Sequence, residues 1–187
     1  MNWKTYTAGF DTILSNENNE APYNKESYLT YTKLNQARLN RWEKKFELSE
    51  ESKSTLDAIK SPQKWILITE HWCGDAAHSA AILNKFTEYS DLIEFEVQMR
   101  DQAPFSIDKY LTNGGKSIPK LAVLAKDGND LFNWGPRPAE IQGMVMDMKT
   151  SDLSGDEKNK IIQGWYNKDK GRSTENEILA LLKSAIL

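Results

Sequence analysis

Residues 70–80, EHWCGDAAHSA, hold the only cysteine of the chain, set between a tryptophan and a glycine with an alanine three positions on. The patterns on either side of this stretch decide the fold. Before it, Trp65-Ile66-Leu67-Ile68 is a short continuous apolar run rich in β-formers, as a strand covered on both faces requires. After it, residues 76–86 read as a helix. Ile93, Phe95, Val97 and Met99 then alternate with Glu94, Glu96 and Gln98, the period of a strand with one wet side at a sheet edge. The sum is a βαβ crossover, right-handed by the general rule, with Cys73 in the turn from strand to helix. Unpaired backbone N–H groups and the positive helix end favour thiolate over thiol there. Gly74 lets the backbone turn tightly beside the sulfur, and Trp72 supplies an apolar wall. The competing reading of Cys73 is a small buried hydrophobe.

Working outward, a helix is expected over residues 105–111, followed by a break at Asn113-Gly114-Gly115. Strands at 121–125 and 130–134 flank Lys126-Asp127-Gly128-Asn129, whose Asp-Gly pair marks a hairpin. Towards the N-terminus, Tyr28, Tyr31, Leu39, Trp42 and Phe46 share one face of a helix between Asn24 and Phe46. Ser49 opens a second helix that Ser61-Pro62 closes. Towards the C-terminus, Ser154-Gly155-Asp156-Glu157 and Thr174-Glu175-Asn176-Glu177 both match the capping box. They precede apolar faces of Ile161, Ile162, Trp165 and Tyr166, and of Ile178, Leu179, Leu182 and Ile186. The expected arrangement is a single globular domain in three parts: an N-terminal helical extension over 1–61, an α/β core over 62–150, and helices packing on that core over 151–187.

Composition excludes several function classes. Among 187 residues, 24 basic and 27 acidic side chains are interspersed and give a net charge of −3, so no positive field invites nucleic acid. No apolar stretch approaches a membrane span, and no leader pattern opens the chain, so a cytoplasmic protein without membrane partners is expected. One cysteine makes no internal disulfide. His71, Cys73 and His78 match no common zinc spacing, so no metal is expected, and no cofactor either. Glu70 and Asp75 read as a charged rim rather than an acid/base pair. Lys120 and Arg137 are the candidates to place a cation beside Cys73 or an anionic substrate group.

Trp72-Cys73-Gly74-Asp75-Ala76 resembles the Trp-Cys-Gly-Pro-Cys active-site turn of thioredoxins, and Lys116-Ser117-Ile118-Pro119-Lys120-Leu121 resembles that family's segment with a cis proline. Asp101-Gln102-Ala103-Pro104, Tyr110, Asp127-Gly128 and Trp134-Gly135-Pro136 fall in the family's order. The resemblance implies a thioredoxin-like three-layer α/β/α fold with a mixed four-stranded sheet ordered 93–99, 64–69, 120–125, 130–134, plus N-terminal and C-terminal helices. It also implies a cis Ile118-Pro119 bond; without it Pro119 would be read as trans. Three departures bear on function. Ala76 replaces the resolving cysteine, Asp75 replaces the proline and opposes thiolate formation, and Leu67 occupies the place of the buried carboxylate. By resemblance Cys73 is the catalytic residue, and Trp72, Gly74, Asp75, Ile118, Pro119, Lys120, Trp134, Gly135 and Arg137 form the substrate surface. Two functions follow. The first is a monothiol thiol-disulfide oxidoreductase acting on a low-molecular-weight thiol, a disulfide or a protein. The second is a redox-inactive protein that binds a peptide or protein partner in the groove near Pro119 and Trp134.

Overall fold

A computed structural model describes residues 1–186 of the chain. The elements run in chain order as α1 (Trp3–Ser15), α2 (Glu26–Lys45), α3 (Glu50–Asp57), β1 (Gln63–Thr69), α4 (Ala76–Tyr89), β2 (Ile93–Met99), β3 (Lys120–Ala125), β4 (Asp130–Trp134), α5 (Ala139–Asp147), α6 (Gly155–Asp169) and α7 (Arg172–Ile186). The sheet order is β2-β1-β3-β4. Strand β1 pairs parallel with β2 and antiparallel with β3, and β3 pairs antiparallel with β4. This is the mixed α/β sheet expected from the sequence.

Strand alternation divides the core in two. Trp65, Leu67, Leu121 and Val123 face a large cluster shared with α1, α2, α3, α4 and α7, contributed by Phe10, Leu39, Leu56, Leu83 and Leu182 among others. Ile66, Ile68 and Ala122 face the other way, onto a smaller cluster that includes Cys73, Ile107, Tyr110 and Ile118. Both faces of β1 are covered, which is why it reads as an unbroken apolar run. Strand β2 lies at the edge, and there the backbone of Met1 exchanges two hydrogen bonds with Val97, at 2.7 and 2.8 Å.

Several boundaries differ from the sequence expectations. The helix expected over 105–111 is a four-residue 3-10 turn, Ser106–Lys109, bounded by Phe105 and Asn113 in the left-handed region. Two helices were expected before Pro62, yet α1 precedes them, with Asn2 capping its Thr5 N–H and Tyr6 and Phe10 buried. Helix α6 has the expected capping box at Ser154 and Glu157. Helix α7 starts earlier than expected, at Arg172, because Asp169 accepts from the N–H of Ser173 while Thr174 and Glu175 are buried inside the helix. The side chain of Ile186, placed on that helix's apolar face from sequence, lies outside the described residues.

Candidate functional site

Cys73 sits between the end of β1 and the start of α4, with its N–H bonded to the Glu70 carbonyl at 3.0 Å. Its side chain is buried, and the thiol donates to the Ile118 carbonyl at 3.4 Å. The Ile118-Pro119 peptide is cis, as the resemblance implies. Burial pushes the Cys73 thiol up to about 12, and the Asp75 carboxylate adds to the rise; the N–H groups of Ala76 and Asp75 and the charge of Arg137 pull weakly the other way. Burial therefore opposes the thiolate that the helix start was expected to favour, and the structure agrees with the competing reading of a buried Cys73. Desolvation outweighs the helix terminus here.

Asp75 occupies the N-cap position of α4 without capping it. Its carboxylate turns away, to Arg137 Nη2 at 2.6 Å and to the Tyr166 hydroxyl, which donates at 3.0 Å. Burial raises the Asp75 carboxyl, while Arg137 and Tyr166 hold it down. The carboxylate is thus an anchor that joins the active-site turn to the loop after β4 and to α6.

Above the sulfur lies a cleft of about 860 Å³, with Trp72, Cys73, Gly74, Asp75, Ile118 and Arg137 on its floor and near wall. The far wall comes from outside the β-sheet core: Tyr28, Tyr31 and Arg38 of α2, and Asn159, Ile162 and Gln163 of α6. Trp72 meets Tyr28 edge to face at 5.6 Å and carries the Arg100 guanidinium over its ring at 5.0 Å.

The remaining candidates lie off this cleft. The Lys120 ammonium is buried and donates to the Gly135 carbonyl at 2.8 Å, so it is tied to the loop rather than offered to a substrate. Trp134 is buried in the large core with its indole N–H on Glu177 at 2.7 Å. Gly135 packs on the Pro119 loop so closely that a Cβ would stand 2.3 Å from the Pro119 carbonyl oxygen, and its φ of +111° also favours glycine. Pro119, Lys120, Trp134 and Gly135 therefore support the wall from behind. His71 and His78 point apart: His71 Nε2 donates to the Tyr6 carbonyl at 2.9 Å, and the His78 ring stacks on Tyr166 with centroids 4.2 Å apart. No group of three metal-ligating side chains gathers among the described residues. The sequence placed Tyr28 and Tyr31 on an aromatic helix face that suits either a partner groove or the core, and it did not single out Arg38 and Gln163. Their only signal was a place on amphipathic helices, which does not separate a cleft wall from a wet face.

No described helix is long and apolar enough to cross a membrane. The family model described as Thioredoxin matches residues 21–149, so the matched pattern takes in α2 and α3 as well as the sheet. No curated protein matches the chain. Among solved structures, a protein of unknown function from Pseudomonas aeruginosa superposes with a TM-score of 0.62 at 16% identity, over 83% of this chain and 90% of that one. An HIV epitope-scaffold protein superposes with a TM-score of 0.60 at 18% identity, over the same shares of 83% and 90%. At these identities the likeness is one of fold.

Proposed function

The chain belongs to the thioredoxin family, and from that premise we propose that it is a ligand-binding member of the family, in which the cleft over Cys73 holds a peptide or small-molecule partner while the cysteine rests as a neutral thiol. The observation that carries this reading is the buried sulfur on the cleft floor, bonded to the Ile118 carbonyl, with burial and Asp75 pushing its thiol up. A nucleophilic thiol needs the thiolate. The groove is bounded by Trp72, Ile118, α2 and α6, rather than by Trp134 as the sequence suggested. Such binding makes no demand for an oxidising compartment, and cytoplasmic residence belongs to the same proposal.

Monothiol exchange is the second reading, favoured by the N–H groups of Asp75 and Ala76 that face the sulfur. In that reaction the Cys73 thiolate attacks one sulfur of a disulfide and the S–S bond breaks. The other sulfur leaves as a thiolate and takes a proton, and an external thiol then releases the adduct. Alkylation by iodoacetamide across pH 6–11, with Cys73→Ser as control, separates the two. A rate that rises throughout without a plateau is the expected result. A plateau at neutral pH, together with a removable mixed disulfide seen by mass spectrometry after diamide and a small thiol, would move the function to exchange.

A further inference from the structure

Of the five arginines in the sequence, Arg100, Arg137 and Arg172 are ion-paired with Asp101, Asp75 and Glu175. Arg38 and Arg41, one turn apart on α2, have no carboxylate within ion-pairing distance among the described residues. Burial pushes the Arg38 guanidinium below its usual range, and the Arg41 cation on the next turn adds to the effect by repulsion. Arg41 has two guanidinium nitrogens, Nε and Nη2, buried with no acceptor. That guanidinium lies over the Trp42 ring at 4.6 Å and outside the cleft lining, so the cation of this pair that faces the cleft is Arg38.

The structure holds Arg38 in place. Its Nη1 donates to Asn35 Oδ1 at 2.9 Å, and the fully buried Asn35 in turn donates to the His71 carbonyl at 3.0 Å, two residues before the cysteine. Across the cleft, Gln163 is fixed by an equally determined chain. The Trp42 indole is a donor only, so His78 Nδ1 accepts from it at 3.1 Å and the ring proton sits on Nε2. Nε2 then donates to Gln163 Oε1 at 2.6 Å, which leaves the Gln163 amide NH2 turned the other way, with no acceptor among the described residues. The two sets of donors meet over Gly74: a Cβ built there would lie 3.8 Å from Gln163 Nε2 and 3.9 Å from Arg38 Nη1.

We infer that the α2–α6 end of the cleft is an anion site, in which Arg38 and Gln163 grip a carboxylate or phosphoryl group of the bound ligand over Gly74. The field along the cleft suits this occupant. Its lining carries Arg38, Arg100, Lys116 and Arg137 against two carboxylates, Asp75 and Asp101, although the chain as a whole is net negative. Those two carboxylates are engaged by Arg137 and Arg100, and Lys116 by Asp108 beside the cleft, which leaves Arg38 as the lining cation without a carboxylate among the described residues. The inference rests on the cleft being the ligand site and names the chemistry it selects: a small acidic molecule, or an acidic group on a peptide, fixed at a planar fork of donors.

The test is a nuclear magnetic resonance titration of the full chain with sodium phosphate and with sodium acetate at constant ionic strength, following the Gln163 side-chain amide and the Gly74 backbone amide. One or both anions shift these signals along a saturating curve, and the preferred anion tells phosphoryl from carboxylate. Arg38→Gln weakens the response tenfold or more, and so does Gln163→Glu, which keeps an acceptor for His78 but repels the anion. Lys60→Gln, on an exposed loop, leaves it unchanged. Responses that do not saturate, or that survive both cleft variants in folded protein, overturn the site. A capped neutral tripeptide separates the two levels of the argument: if it shifts Trp72 and Cys73 while neither anion binds, the anion site falls and the cleft reading stands. If neither anion nor peptide moves a cleft signal, both fall.

Discussion

At the scale of single residues, the chemistry turns on two groups whose environments outweigh their positions. Cys73 lies at a helix start, yet removal from water dominates its titration, with Asp75 second. Asp75→Asn removes that second contribution and frees Arg137 to act on the sulfur alone. The expected outcome is a lower Cys73 pKa, seen as iodoacetamide alkylation at pH 8 that is several-fold faster, on the order of what one nearby charge gives. Because burial pushes the folded thiol up to about 12 from its ordinary 9.0, the protonated thiol stabilises the fold fully below pH 9.0, and that contribution is lost as pH rises towards 12. His78 behaves in the opposite sense: burial lowers it from 6.5 to about 4, so its contribution is present above pH 6.5 and lost as pH falls towards 4. Urea midpoints measured between pH 7 and 4 should therefore fall, with a shallower fall in His78→Gln. The position of Cys73 in the strand-to-helix turn was legible from Trp65-Ile66-Leu67-Ile68 and the helix after it. The choice between a reactive and a buried thiol was not, because the cover comes from Ile107, Tyr110 and Ile118, whose approach is a tertiary fact.

At the scale of elements, the strands and the Ser154 box could be read directly because period and capping chemistry are local. The second capping box misled because its carboxylates serve other elements. Glu175 accepts from Ser49 N–H at 2.6 Å and Ser52 Oγ at 2.9 Å, closing the start of α3. Glu177 accepts from the first N–H of α5 at 2.6 Å and from Trp134 at 2.7 Å. Burial opposes ionisation of Glu175, but the bonds from Ser49, Arg172 and Ser52 outweigh it and hold its carboxyl below the usual range. Glu175→Ala leaves buried donors unanswered and should cost roughly 1–3 kcal/mol in chemical denaturation. Gly135→Ala meets both a positive φ and the Pro119 carbonyl; a loss of roughly 1–3 kcal/mol from the backbone alone is expected, with displaced Ile118 signals that no merely local strain would move.

At the scale of the whole molecule, one apolar cluster draws from α1, α2, α3, α4, α7 and the sheet. Leu182→Ala on α7 should therefore cost roughly 2–5 kcal/mol and lower a single transition, with tryptophan fluorescence and far-ultraviolet dichroism changing together. Separate transitions for the terminal helices and the sheet would count against a shared core. The sheet order came from the family resemblance, and the one-sided wetting of β2 agreed on its edge place, whereas α1 was not legible, its short Tyr6 and Phe10 stripe being too brief to stand out. The reach of α7 to α3, α5 and β4 also bears on synthesis. Of the described elements, α7 leaves the ribosome last, so a nascent chain carries the start of α3, the Trp134 indole and the apolar wall beneath Leu182 unsheltered until translation has passed residue 182. Vectorial folding can assemble the strands early, but this apolar wall closes only when α7 docks, and a holdase chaperone has its opportunity in the interval before that.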